Sequence, residues 1–533
     1  MYLVLSASKD SYITDKIINN SFSASNANTG RASTLDLFRL YNESYLSGVS
    51  PTNELSRLLI KFDYGRIRKF THSTLNLNST NFQAKLKLFD IMGGQATPSN
   101  FKLILFPLSQ SFDEGIGRNV ASYSDLDACN FATASYSNST NNAWHLSGAN
   151  AQGTIDTTSD TGYPANIDII ISGNLNDGDG TKGLGITQTF VEGGENLTMD
   201  VTTIVSATLA GILPDYGFRI SFTGSQEEDN KTRFVKRFAS RHVRNSSIQP
   251  RLDVSWDDTI VDNHKDFYFD LSGSLFLKNF TRGQPANIVS GSSLLPVTGN
   301  NCIKLTLRTG SFVFEASASQ HQAGTKIMQT VPGAGTPSAY NYVTGVYSAS
   351  FAIPSSDSTT VAWGTTLAQM IARTGSVTFD EYWSDTSGLV GYHTGSIKIE
   401  RISRTSFNVS PASLDFIVIN AQNSYKKSKK VLLRVFIRDF NAHQKAKRVP
   451  YSLPSVILEE VYYRVRDADS NDIIIPFETA KNGTRLSSDS EGMYFEFMTD
   501  LPVGRTYTFD FLSKDGGFDL ITQAKNVRFR IDE

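Results

Sequence analysis

Apolar and polar residues alternate with a period of two along much of this chain. Leu252, Val254 and Trp256 alternate with Asp253, Ser255 and Asp257, and Leu433, Val435 and Ile437 with Arg434 and Arg438. Tyr507, Phe509 and Phe511 alternate with Thr508 and Asp510, and Val527, Phe529 and Ile531 with Arg528, Arg530 and Asp532. Successive side chains of a strand point to opposite faces, so each run predicts a half-buried strand with its polar face outward. Further strand-like runs occur at Leu58–Tyr64 (LLIKFDY), Lys85–Phe89, Phe101–Phe106, Asp168–Ile171 and Gly217–Phe222, separated by Asn, Ser, Gly and Pro clusters that read as turns. Helix is expected only at Asp200–Ala207, where Asp200 can cap the first turn, and at Thr365–Arg373. The predicted fold class is all-β: serial antiparallel β-sandwich modules, jelly-roll-like and immunoglobulin-like, with very little helix.

At 533 residues the chain is long enough for about three or four domains of ~100–200 residues. The pattern divides it into residues 1–258, 259–400 and 401–533. The first block closes on PRLDVSWDD, with Pro250 ahead of its last strand, where a missing N–H does least harm. It carries a polar insertion at about residues 130–185, rich in Ser, Thr, Asn and Gly, which is expected to hold short strands. The middle block is a second β-rich domain. There Thr-Gly-Ser recurs at 309–311, 374–376 and 394–396, and each is expected to be a tight hairpin turn. The last block, with five or more alternating strands, fits an immunoglobulin-like sandwich.

Composition supports strands: Phe numbers 34 and Tyr 21, with only 4 Trp. A net charge of −2 gives no electrostatic case for nucleic acid or an anionic membrane as partner. Cys129 and Cys302 fall in different blocks and make no disulfide framework, which fits assembly in a reducing cytoplasm. MYLVLSASKDSYIT has no basic n-region, and no run of ~20 apolar residues follows, so neither export signal nor membrane span is expected.

Candidate chemistry is sparse. The seven histidines form no HExxH and no zinc-ligand spacing with cysteine, and neither a GxSxG nor a Walker-type glycine loop occurs. The chain is therefore read as non-enzymatic, with no catalytic residue, cofactor or metal. Asn174–Gly180 (NLNDGDG) offers hard oxygen ligands but lacks the acidic twelfth ligand of a calcium loop, and such clusters are commonly hairpin tips. Two basic stretches are candidates for docking a protein partner: Arg237, Arg241 and Arg244 in the first, and Lys426, Lys427, Lys429 and Lys430 in the second. The second begins a run of nine cations, ending at Arg448, against the single acid Asp439. A solvated sheet face, with lysines that discourage edge pairing, explains the same pattern.

Several segments of the first block resemble, in order, the DNRLRE-type β-sandwich domain. They are KDSYITD at Lys9–Asp15, the Asn28-Thr29-Gly30 turn with TLDLFRL after it, SRLLIKFDYGRI at Ser56–Ile67 and AKLKLFD at Ala84–Asp90. SQSFDEGIGR at Ser109–Arg118 follows, then MDVTTIV, YGFRISF, RFASRHV and PRLDVSWDD. Segments of the third block, VYYRVRDADSNDIIIPF and NGTRLSSDSEGMYFEFMTDLPVGRTYTFDFL, look like phage structural proteins. In a long chain of several modules the resemblance implies a structural protein of a tailed-bacteriophage virion, in the neck, collar or tail. Its partners would be other virion proteins (portal, neck, sheath or tail proteins) and copies of itself. The alternative it leaves open is a fibre or adhesin that binds host-surface polysaccharide through the N-terminal sandwich, on an exposed Trp or Tyr platform.

Overall fold

A computed structural model of the chain describes every residue except 44–52, 72–73, 76, 78–79, 92–98, 122–125, 138, 156–165, 176–179, 292–293, 326–339, 403–412, 441–452, 454, 516 and 526. The fold is all-β, with many antiparallel sheets and short helices. No described helix is long and apolar enough to cross a membrane.

The first strand, Tyr2–Thr14, organises the first module. Its start pairs with Arg251–Ser255, its end pairs with Asn53–Phe62, and the register shifts between Ala7 and Lys9. Such an irregularity bends a strand and lets it pass from one sheet to another. On one side lie Arg251–Ser255, Gln83–Leu88 and Leu197–Asp200; on the other lie Asn53–Phe62, Phe218–Phe222, Phe101–Pro107 and Ile186–Phe190. Leu3 and Leu5 of the first strand, with Leu86, Leu252 and Val254 from the first group, meet Leu58, Ile60, Leu103, Phe218 and Ile220 from the second in one core.

Leu58, Leu59 and Ile60 are all fully buried, as an unbroken apolar run implies for a strand covered on both faces. Leu58 and Ile60 face the main core, whereas Leu59 packs with Ile13, Leu108, Cys129, Trp144 and Ile169 in a second cluster. The inserted region thus roofs the outer face of the sheet. Its described part holds short strands, among them Thr133–Ser137, Thr140–Ala143 and Ile169–Asn174. Cys129 and Cys302 are both free thiols.

The two expected helices form at Thr202–Leu209 and Leu367–Thr374, but they are not alone: single turns of helix also form at Ile67–Phe70 and Gly224–Glu228. Asp200 accepts the Thr202 N–H at 3.0 Å, and Thr366 opens the second helix with a capping box.

The second module is a six-stranded antiparallel sheet ordered Gly273–Lys278, Tyr340–Phe351, Phe312–Thr325, Ile303–Thr309, Ser376–Ser384 and Gly391–Glu400. Its core, including Leu305, Tyr347, Phe379 and Trp383, is closed by Leu367 and Ile371 of the helix. Only the first Thr-Gly-Ser triplet makes the expected hairpin, with Gly310 at φ 57°. Gly375 instead ends the helix in the left-handed conformation, and the third triplet lies inside the strand Gly391–Glu400. Glycine supplies a left-handed residue to a helix end as readily as to a hairpin, so the triplet alone does not distinguish them.

In the third module, Leu414–Val418, Lys430–Asp439, Gly492–Met498 and Ser487–Asp489 form one sheet. Glu460–Asp467, Thr506–Asp515, Phe529–Asp532, Ser424–Lys426 and Ile473–Ile475 form the other, with Phe518–Gln523 paired to Thr506–Asp515. Phe416, Phe495, Phe497, Phe509, Phe511 and Phe529 stack through the core between them.

The modules are not strung end to end. Tyr2 and Val4, at the start of the chain, belong to the apolar core of the third module, and Met498 belongs to that of the first. This corrects the outward reading of Asp253 and Ser255, which are 3% exposed. The third module covers that face, and a Cβ on Gly483 would lie 2.7 Å from Ser255 Cβ. Thr508 and Asp510 are likewise buried, at 3% and 1% exposed, and Asp510 takes ion pairs from Arg464 and Arg466.

Candidate functional site

Five segments of the first module converge on one spot. Asn28 sits at its centre: its Nδ2 donates to the carbonyls of Glu114 and Cys129, each at 2.8 Å, and its Oδ1 accepts the N–H groups of Gly30 and Gly117. Thr29 Oγ1 donates to the Tyr12 carbonyl and accepts the Tyr12 N–H. A Cβ on Gly30 would stand 1.8 Å from the Glu114 carbonyl oxygen, so only glycine allows this approach.

Around this knot the acidic and basic side chains are paired. Glu114 Oε1 accepts the Asp10 N–H at 2.9 Å and Arg241 Nε at 2.6 Å, and its Oε2 accepts Arg241 Nη2 at 2.7 Å. Asp10 Oδ2 accepts the Arg241 N–H at 2.6 Å, and His242 Nε2 lies 3.4 Å from Glu114 Oε1. Burial pushes the Asp10 carboxyl up to about 7, against the Arg241 N–H that holds it down and with the Glu114 charge beside it. The sequence reading passed over Asp10, Glu114 and His242 as a group. The sequence signal for them is that Asp10 stands in KDSYITD, Glu114 in SQSFDEGIGR and His242 in RFASRHV, three of the segments that resemble the DNRLRE-type domain.

The first basic stretch is largely consumed inside the module. Arg237 forks onto Asp36, Arg241 onto Glu114, and Arg233 onto Asp229. Lys236, 1% exposed, pairs with Asp90 and lies between the Phe190 and Phe238 rings. Arg244 is exposed. In the second stretch, Lys426, Lys427, Lys429 and Lys430 are all exposed. Lys430 nevertheless reaches Glu496 at 2.5 Å and stands 6.0 Å from the Phe70 ring of the first module. Lys445, Lys447 and Arg448, and Asn176–Asp179 of the glycine-rich turn, lie outside the described residues, as do His72 and His443.

Among the tryptophans, Trp144, Trp256 and Trp383 are buried. Trp144 Nε1 donates to the Asn130 carbonyl. Trp363 is wholly exposed at the tip of a two-stranded hairpin of the second module.

Two joins link the modules. Between the first and third, the N-terminal ammonium donates to the Trp256 carbonyl at 2.8 Å and pairs with Asp258. Arg66 pairs with Asp500 and donates to the Ser428 carbonyl, Lys481 reaches the Thr80 carbonyl, and Asn482 reaches Asp257. At the second module, His264 Nδ1 lies 2.5 Å from Asp262 Oδ1, and its Nε2 lies 3.1 Å from both oxygens of Glu381. Asp262 is tied to the third module through Ser488, and Lys278 donates to the Tyr494 hydroxyl. Burial alone would lower the His264 pKa, but its bonds to Asp262 and Glu381 outweigh that and lift it to about 10.

No protein-family model matches the chain, and no curated protein matches it. Among solved structures, a titin structure (titin-A168169) is 6% identical at a TM-score of 0.14, over 52% of this chain and 95% of that one. An endo-fucoidan hydrolase of glycoside hydrolase family 107 is 14% identical at a TM-score of 0.15, over 52% of this chain and 29% of that one. Three N-terminal domains of the highly immunogenic outer capsid protein of bacteriophage RB49 are 9% identical at a TM-score of 0.13, over 50% of this chain and 66% of theirs. What the fold defines by itself is an all-β chain of several packed modules.

Proposed function

We propose that this chain is a non-enzymatic structural component of a tailed-phage virion, at the neck, collar or tail, built around a DNRLRE-type first module and bridging neighbouring virion proteins. The observation that carries this reading is the join between the first and third modules, where the start of the chain is built into the core of the last module. That join makes a rigid body with fixed relative faces, which suits a part that must present two surfaces to two neighbours. Stable contacts of this kind bury ~800 Å² per partner, and symmetric copies add avidity. The exposed Lys426, Lys427 and Lys429, with Arg244, are the docking cations.

The test is a particle assay. Charge reversal at Lys427 and Lys429 is expected to reduce incorporation into particles while the purified chain stays folded. Incorporation at the normal level removes the claim.

A second reading, polysaccharide binding, has one observation in its favour. It is Trp363, a fully exposed indole of the kind that stacks on sugar rings. It moves the site from the first module, whose Trp144 and Trp256 are both buried, to the second. Glycan-array binding that disappears in Trp363→Ala would favour it.

A further inference from the structure

We propose that Asp10, Glu114 and His242 bind one divalent transition-metal ion, of the Zn²⁺ or Mn²⁺ kind. One ligand atom from each of the three side chains lies within 4.8 Å of those of the other two. Neighbouring ligands of a tetrahedral ion held at about 2.1 Å are ~3.4 Å apart. His242 Nε2 and Glu114 Oε1 already stand 3.4 Å apart, and the remaining separations must shorten by up to about 1.4 Å.

Two independent features point to an occupant. Asp10 is 1% exposed, yet its Oδ1 has no hydrogen-bond partner, and the buried Nε2 of His242 has none either. Buried polar atoms are almost always matched, so two orphans beside one carboxylate call for a shared partner. Glu114 still has capacity. A carboxylate offers about four lone-pair sites, and the Asp10 N–H with the two Arg241 donors takes three of them.

Charge supports a cation. Glu114 takes the Arg241 guanidinium while Asp10 takes only its backbone N–H, and Lys9 is drawn away to Asp113 and the Phe112 carbonyl. Two oxygen donors with an imidazole suit zinc or manganese better than calcium or magnesium, which favour oxygen alone. The three donors come from the first strand, the acidic-glycine loop and the segment after Arg233–Ala239, so a bound ion would cross-link the knot centred on Asn28.

The test uses the full chain, stripped with chelator and titrated calorimetrically with ZnCl₂ and MnCl₂. The expected result is one ion per chain for at least one metal, a rise in unfolding temperature on binding, and at least tenfold weaker binding in His242→Ala and Asp10→Asn. Asp10 also holds the Arg241 N–H, so Asp10→Asn can misfold; His242→Ala then decides alone. Absence of binding by the unmodified chain, or unweakened binding by His242→Ala, overturns the proposal.

Discussion

Where the third module meets the first, Tyr2 and Val4 sit inside a foreign apolar core, alongside Phe495, Phe497 and Phe511. Where the second module meets its neighbours, the described contacts are polar. They are the bonds of Ile260 and Asp262 to Ser487 and Ser488 and those of Lys278 to Tyr494 and Asp489. The Asp262–His264–Glu381 chain, inside the second module, fastens that tied segment to its sheet, and the module's apolar cluster draws only on residues between Phe267 and Ile399. The first join carries ion pairs at its edge, but its apolar core makes it hard to open without unfolding. A join of buried charges is directional, and it fails when one member is lost or changes protonation. The first and third modules should therefore behave as one cooperative unit, and the second as a separately released arm.

The largest effect that can break this contrast is Tyr2→Ala. Tyr2 is 4% exposed in the shared core, and truncating a buried aromatic costs about 4 kcal/mol. Calorimetry should show the first and third modules losing stability together, with the transition of the second unmoved. If only the first module shifts, the two do not share a core in solution.

Next comes His264→Ala. It leaves Asp262 and Glu381, 3% and 4% exposed, without their common cation, and breaking a buried pair on one side costs about 3 kcal/mol. The expected outcome is release of the second module, read as faster proteolysis near residues 258–266, with the transition of the other two modules unchanged.

The same clamp predicts a pH dependence of known sign. The His264 pKa is raised from 6.5 to about 10 on folding, so the folded state holds the proton more tightly. Its contribution is complete below about pH 6.5 and is lost as pH rises through 10. Glu381 works from the other side. Burial would raise its pKa, but the His264 bond brings it below 4.5, so its contribution is present above 4.5 and lost as pH falls through its lower, folded-state value. Attachment of the second module should thus weaken between pH 6.5 and 10 in the unmodified chain, and His264→Gln should abolish that slope.

Most strands were legible because a period of two reports two faces. It does not report what covers them. Leu252, Val254 and Trp256 are buried as the alternation requires, but so are Asp253 and Ser255, because a module some 200 residues downstream lies on the other face. The unbroken Leu58-Leu59-Ile60 run carried its own sign of double burial, and the acidic and hydroxyl residues at 253, 255, 508 and 510 did not. The Asp10–Glu114–His242 group was invisible for a related reason. Its members are far apart in sequence, and nothing local links them until the Asn28 turn brings them together. Arg237 and Arg241 looked like docking cations because their partners, Asp36 and Glu114, belong to distant strands and loops.

The smallest predicted effect separates docking from folding within one basic stretch. Lys427 is exposed, and among the described residues it is held by its backbone N–H, on the Asp532 carbonyl. Lys430 pairs with Glu496 and lies over Phe70 at the apolar join. Exposed ion pairs are worth about 0–1 kcal/mol. Lys430→Glu, which sets two acids side by side next to that join, should therefore cost up to about 1 kcal/mol, while Lys427→Glu should stay within ~0.5 kcal/mol of the unmodified chain. Chemical denaturation measures both. If Lys427→Glu lowers particle incorporation at unchanged stability, the lysine acts on a partner; if incorporation falls only in Lys430→Glu, in step with stability, the stretch serves the join and docking lies elsewhere.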